Sequence, residues 1–534
     1  MYLTRVKVEN HSRLQDLELE VRQHMVLIGP NDAGKSSLLR CLDLLLGSST
    51  GQLYNQITLE DLRKPDQPFV VEADLCGFSD TEQALFPDEI TVDPSGEKEQ
   101  TLTIRLEASF DNNETLSIAR TVPNKNIGRQ ISREQLRTIG WTLLNANDRA
   151  RNMNDDRRSL LDDVLASVEL GNEQATFDEL IEAIGSQLQN SVVLSKLRSA
   201  MSDQLSAALP ERVAQDDLTF VPGAAADNNV LNGVRLEVNG KSISEQSDGK
   251  RAIYAIALYD LISNSANIVA IDEPEIHLHP SSQRSLARLL KDGRNQKIIA
   301  THSPDIVSAF DPELIVSVRE DGEVVQPNTG ILDKDQRAIL RWWVRNKLEP
   351  LTARHVVAVE GIADRIILER VAELTGNDID RLGISVIEAD GAGDMKVIWK
   401  LFGDSGFRVP LSLLIDRDAV DKTANSLGIQ EHEFGKNSIW ISEQDLEEEY
   451  VKALDESYLW ATMQRSGAFS RNELNNVKHS GGNGSPTKDD IATFLRSKSK
   501  YKTQGAIMVA GLLDESSASK IKSIMDLLND IKSA

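Results

Sequence analysis

The stretch LLIDRD, residues 413–418, ends a short apolar run on two carboxylates, Asp416 and Asp418. A strand buried in a parallel sheet is such a run, and ligands of open α/β sheets gather beyond strand carboxyl ends. The same layout precedes it twice: HVVAV (355–359) runs into Glu360 of VEGIAD (359–364), and ISVIEA (384–389) runs into Asp390. Helical patterns at 364–375 and 394–403 separate the three runs. From His355 the chain therefore predicts a compact βαβαβ unit with a parallel sheet and carboxylates at its strand ends. Such acids repel by roughly 1–4 kcal/mol per pair at about 4 Å, depending on the dielectric. A divalent cation among them removes that cost, and oxygen ligands without Cys or His favour Mg2+, Mn2+ or Ca2+ over Zn2+.

Far upstream, GPNDAGKS (29–36) follows the apolar run MVLI and opens a helical pattern, Lys35 to Leu46, with leucines on one face. This is G-x-x-x-x-G-K-[ST] in the strand–loop–helix context its mechanism requires. Gly29, Asn31, Gly34, Lys35, Ser36 and Ser37 are the candidate nucleotide contacts. The backbone N–H groups wrap phosphates, Lys35 reaches the β/γ-phosphates, and Ser36 holds Mg2+. VAIDEPEIHLHP (269–280) supplies the complement. Asp272, at the strand end, is placed to hold Mg2+ through water, and Glu273 to position the attacking water. His302 of ATHSP (300–304), on the next strand, is placed to sense the γ-phosphate.

YLTRVKVEN and LQDLELEV alternate apolar and polar residues as strands do, and VVEADLCGF (70–78), TLTIRLEASF (101–110) and LSIARTV (116–122) read as further strands of an antiparallel lobe. Composition changes near Asn152, and 155–215 reads as a helical insertion, a candidate dimerisation segment. Residues 222–229 read as a loop, and VRLEVNGKSI (234–243) as a hairpin turning at Asn239-Gly240. A helix over about 250–263, the strand NIVAID, a helix from Pro280 and the strand KIIATHS complete a nucleotide-binding core. LIVSVREDGEVVQP (314–327) is a hairpin turning at Asp321-Gly322. The expected domains are thus 1–154 and 216–330 for the ATPase, 155–215 for the insertion, 331–352 for a helical connector and 353–534 for the acidic unit with a helical tail. Within that tail, 470–503 is rich in Gly, Ser and Lys and reads as a loop, mobile or ordered by ligand.

Net charge is −24 from 59 basic and 83 acidic residues, so contact with DNA requires a local basic surface and weakens steeply with salt. Cys41 and Cys76 are the only cysteines, too few for a disulfide framework or zinc site. With no signal-peptide core and no long apolar run, the expected setting is cytoplasmic, away from membranes.

The nucleotide motifs resemble ABC-type ATPases, in the branch that includes SMC and RecF-like proteins. That branch implies a signature helix capping the partner's ATP. QSDGKRAIYAIAL, with Ser247 and Gly249, is its candidate here, departing from the usual LSGGQ, and it implies a homodimer or higher homo-oligomer. Glu360-Gly361 with Asp416-x-Asp418 resembles the Toprim fold. The fold class expected is α/β: an ABC-type ATPase core with a helical insertion, then a Toprim parallel-sheet domain. That union resembles the OLD (overcoming lysogenisation defect) family of nucleases. The resemblance implies cleavage of DNA phosphodiesters by two metals, Mg2+ or Mn2+ with Ca2+ also compatible. It assigns Glu360, Asp364, Asp416, Asp418, Asp445 and Glu447 as metal ligands. Asp364 stands where the family pattern places a Glu, one position away. It also implies a lysine near the scissile phosphate, for which Lys502 is the choice and Lys500 the rival. Family members act in bacterial and phage conflict, some beside a UvrD-like helicase or another defence partner. The rival reading is an ATP-driven scaffold on DNA whose Toprim unit does not cleave. A topoisomerase needs a tyrosine in a DNA-gate domain, and a primase needs accessory domains, for which the chain has no room.

Overall fold

A computed structural model of the chain describes residues 1–92, 99–111, 114–123, 129–144, 185–209, 212–222, 234–242, 267–333, 348–389, 392–482 and 484–533, with 183, 246, 247, 249, 250, 253 and 254. They fall into two compact units, one within Met1–Gln326 and one taking up the chain from Pro327.

The first unit contains two six-stranded sheets. One is antiparallel, in the order Leu17–Glu20, Tyr2–Glu9, Phe69–Cys76, Leu102–Phe110, Leu116–Val122, Arg129–Gln130. Its strands alternate buried and exposed residues, as in Leu17–Glu20, because one face packs on the core. The other sheet runs Val324–Val325, Ile315–Val318, Met25–Ile28, Gln296–Ala300, Ile268–Asp272, Trp141–Leu144. Its inner strands pair in parallel, and Met25–Ile28 and Gln296–Ala300 are buried at every position, as a sheet covered on both faces demands. Helix Lys35–Leu46 fills the space beside them with Leu38, Leu39, Leu42 and Leu45, all at most 1 % exposed.

The hairpin at Asn239-Gly240 forms as expected: Val238 pairs with Lys241, and both turn residues have positive φ. The Asp321-Gly322 hairpin also forms, pairing Ser317 with Val325. Strand Trp141–Leu144 was not expected; it adds in parallel to Ile268–Asp272. Much of the expected insertion, the 223–229 loop, most of the 250–263 helix, the connector at 334–347 and Asp390 lie outside the described residues. The insertion's described part includes helix Val192–Ala208, which exposes Val192 and Val193.

The second unit holds a four-stranded, all-parallel sheet ordered Ile384–Glu388, His355–Val359, Leu411–Ile415, Ile439–Ile441. Three of these strands are the expected ones; Ile439–Ile441 is an addition. The tail corrects the sequence reading. Within 470–503, Arg471–Leu474, Lys488–Arg496 and the start of Ser499–Ala510 are helical, while 475–482 and 484–487 lie outside helices and strands. Ile491, Phe494, Leu495 and Tyr501 join the unit's core, and Phe494 stacks on Tyr501 at 4.6 Å between centroids. Apolar spacing of three and four outweighs the polar composition.

Candidate functional site

In the first unit, a cleft is lined by Arg13, Asn31, Asp32, Gly34, Lys35, Ser36, Ser37, Glu273 and His302. The loop that shapes it depends on its glycines. Gly29 has φ +155, and a Cβ there would lie 2.2 Å from the Val318 carbonyl oxygen; Gly34 has φ +113, with Leu14 Cδ2 2.7 Å from such a Cβ. Lys35 is buried, and its ammonium donates to the Gly29 and Pro30 carbonyls at 3.0 and 2.8 Å. Burial lowers its pKa, against the pull of Glu273 and Asp272. The cleft thus presents backbone N–H groups and a held cation, a donor set that fits a polyphosphate.

Glu273, at the end of Ile268–Asp272, adopts φ +47, an uncommon backbone for a residue with a Cβ. Its carboxylate lies 3.7 Å from His302 Nε2. Burial and the nearby Lys35 charge lower the His302 pKa, so the imidazole is neutral near pH 7. Ser247 and Gly249 are not among the residues lining this cleft; Ser247 is exposed, and a Cβ on buried Gly249 would lie 2.5 Å from the His277 carbonyl oxygen. Arg13 in the cleft was missed, because only the fold returns the loop after the first strand to the glycine-rich turn.

In the second unit, strand ends bring the expected acids together. Glu360 follows His355–Val359, and its carboxylate accepts from Asp416 N at 3.0 Å. Asp416 follows Leu411–Ile415 and accepts from Leu446 N at 3.1 Å. Asp364, on the first turn of helix Ile362–Leu374, turns back to accept from Gly361 N at 2.9 Å. Glu447, on the first turn of helix Leu446–Ala453, is 1 % exposed; its Oε1 has no hydrogen-bond partner and its Oε2 meets the Lys502 ammonium. Lys502, from helix Ser499–Ala510, lies 3.3 Å from Glu447 Oε2 and 3.7 Å from Asp416 Oδ2. Lys500 instead pairs with Glu473 at 3.2 Å.

Burial, then the mutual field of the acids, raises Asp416 to about 8 and Asp364 to about 7. Burial also raises Glu447, against the attraction of Lys502. Two expected ligands have other surroundings. Asp418 is exposed on the turn Arg417–Ala419. Asp445 caps helix Leu446–Ala453, accepting from Glu448 N at 2.8 Å, and pairs with Arg496 Nε at 2.7 Å. Tyr450, fully buried and one turn beyond Glu447, faces the same acids and holds its proton firmly; the acidic run gave no sign of it.

Among the described residues no three acids converge closely enough to hold one metal ion. The chemistry of the set nevertheless fits a hard cation. Buried carboxylates that raise one another's pKa, one with an unbonded oxygen, lack the positive charge that Lys502 supplies only in part.

The two units are an ATPase domain and a Toprim domain on one chain. An AAA-domain model, AAA_21, matches residues 25–308, more than half of the chain, and the model "Overcoming lysogenization defect protein-like, TOPRIM domain" matches 351–418. The chain belongs to the AAA family of that first model and, with its Toprim unit, to the overcoming lysogenization defect (OLD) family, among ATPase-linked nucleases. It is 26 % identical over 433 residues to the OLD nuclease of Thermus scotoductus, covering 74 % of this chain and 78 % of that one. It is 22 % identical over 207 residues to the endonuclease GajA of Bacillus cereus, covering 37 % of this chain and 34 % of that one. Among solved structures, an Smc head bound to the C-winged helix domain of ScpA aligns at TM-score 0.41 and 17 % identity, over 62 % of this chain and 98 % of that one.

Proposed function

We propose that the protein is a divalent-metal-dependent DNA endonuclease whose Toprim unit cleaves and whose ATPase unit governs when it does so. The observation that carries this reading is Glu447: a carboxylate buried beside Asp416 and Asp364, with Oε1 unbonded and Oε2 paired to Lys502. An apolar side chain would cost less there, so the arrangement serves chemistry rather than folding.

Glu360, Asp364, Asp416 and Glu447 would hold Mg2+ or Mn2+. Bound there, the ions supply a low-pKa water and neutralise the charge that builds on the phosphate. Of the chain's own groups, Lys502 is placed to meet a phosphate oxygen once its two carboxylates take up metal. Glu360 and Asp416 brace each other through the Asp416 N–H, which fixes their spacing. Asp364 also accepts from Gly361 N at 2.9 Å, which seats its carboxylate at the start of its helix.

In the first unit, Lys35 and Ser36 hold nucleotide, Asp272 its Mg2+, and Glu273 with His302 the attacking water. The proposed assembly is a homodimer in which Ser247 and Gly249 of one protomer cap nucleotide on the other, with the helical insertion as its contact. DNA is the proposed substrate and phage defence the proposed setting; the relatives' names say nuclease and endonuclease. A cytoplasmic location agrees with Cys41 and Cys76 being free and buried. Among the described residues no helix is long and apolar enough to cross a membrane. Cleavage of supercoiled plasmid with Mg2+ or Mn2+, lost in Asp416→Ala, tests the reading.

A further inference from the structure

We infer that Glu275 is a positioning residue for nucleotide hydrolysis, setting where His302 stands beside Glu273. The inference rests on the first-unit cleft being an ATPase site. Glu275 does not line that cleft. Its carboxylate reaches from the loop after Ile268–Asp272 to the loop after Gln296–Ala300. One oxygen accepts from His302 N at 2.6 Å and the other from Thr301 Oγ1 at 2.8 Å. Both donors belong to the two residues that aim the imidazole.

The rest of the loop is tied in the same sense. Thr301 N donates to Leu27 O at 3.0 Å, on the strand that feeds the phosphate loop, and Thr301 Oγ1 accepts from Ser303 N at 3.0 Å. Ser303 Oγ donates to Gln283 Oε1 at 2.6 Å. On the other side, Glu273 N donates to Ala300 O at 2.9 Å, which fixes the backbone from which the Glu273 side chain starts. Glu275 therefore joins the two loops whose tips, Glu273 and His302, meet at 3.7 Å. A half-buried carboxylate next to Glu273 is a costly way to stabilise a loop, since neutral or apolar groups hold loops at less cost. Its two oxygens do what a neutral side chain does poorly: they accept simultaneously from a backbone N–H and the adjacent hydroxyl, restraining the His302 main chain.

Steady-state ATP hydrolysis by the full chain tests this, comparing Glu275→Ala, Glu275→Gln, His302→Ala and the double variants. Glu275→Ala is expected to lower kcat about tenfold or more with KM within about twofold, because the lost contact acts on the reacting geometry and not on nucleotide binding. Glu275→Gln, which keeps one acceptor oxygen, recovers part of the loss. In a His302→Ala background either Glu275 change costs less than about twofold more, since a residue acting through His302 has nothing left to place. Multiplicative losses in the double variants, or a raised KM with unchanged kcat, overturn the inference. Should Glu275→Ala lower the thermal midpoint too far to assay, the isosteric Glu275→Gln carries the same cycle, and multiplicative losses there overturn the inference equally. A wild-type protein that turns over no ATP overturns the ATPase reading itself.

Discussion

Lys502 Nζ lies 3.3 Å from Glu447 Oε2 and 3.7 Å from Asp416 Oδ2, so one ammonium is shared between two carboxylates from different elements and offsets their charge only in part. Lys502→Met removes that charge without removing the acids. The metal-free protein should lose about 1–2 kcal/mol, limited by solvent screening at the part-exposed lysine, and Mg2+ should restore much of it. Cleavage should fall at least about a hundredfold, as for other lost transition-state cations, with ATP hydrolysis unchanged. Calorimetry with and without Mg2+, beside plasmid nicking, checks each part.

The acid site makes stability depend on pH in a definite direction. Asp416 and Asp364 are raised to about 8 and about 7, so their protonated forms favour the folded state. That contribution is complete below the unfolded carboxylate pKa of about 4 and is lost as pH rises through the folded values. His355, lowered to about 4 by burial, acts oppositely: its stability is lost as pH falls from 6.5 towards 4. Above 6.5 His355 is neutral in both states and the acids stand alone. The metal-free melting temperature of the Toprim unit should therefore fall from pH 6.5 upward. The Mg2+-induced increase should grow over the same range, because binding displaces protons. A flat profile would remove the acids from the coupling.

Asp445 has two possible roles, ligand and helix cap, and the structure shows the second. Asp445→Ser keeps a capping oxygen, whereas Asp445→Ala loses it at a cost of about 1 kcal/mol. If Asp445 acts only by seating the helix that carries Glu447, the serine variant cleaves nearly as well as wild type. Equal loss of cleavage in both variants would assign it to the metal.

Arg13 lines the nucleotide cleft together with Lys35. Arg13→Ala should weaken ATP binding about tenfold, the worth of one charge-assisted hydrogen bond, while Lys35→Ala should abolish it. Titration with a fluorescent nucleotide analogue measures both, and unchanged affinity in Lys35→Ala would displace the phosphate-loop assignment.

Motifs that carry their own geometry were legible in the sequence. The glycine-rich turn, the Asn239-Gly240 hairpin and the strand ends at Glu360 and Asp416 each need only neighbouring residues to be recognised. Trp141–Leu144 was not, since four residues without flanking turn signals become a strand only by pairing with Ile268–Ile271, far along the chain. The tail was misread because its Gly, Ser and Lys content hid the Thr487–Asp490 capping box and the Ile491–Leu495 stripe. Within ISEQDLEEEY, spacing alone could not say which acid turns inward. Folding directs Glu447 to the site and Glu449 to Ser523, whose N–H and hydroxyl donate to it at 3.1 and 2.9 Å. Glu275 was passed over for the same reason, as its partners lie on another strand's loop.

The most direct measurement is cleavage of supercoiled plasmid by wild type and Asp416→Ala, with Mg2+ or Mn2+, each with and without ATP. The account predicts metal-dependent nicking or linearisation by the wild type alone, altered by ATP, with equal ATP hydrolysis in both proteins. Cleavage retained by Asp416→Ala, or none by the wild type under any of these conditions, would contradict it.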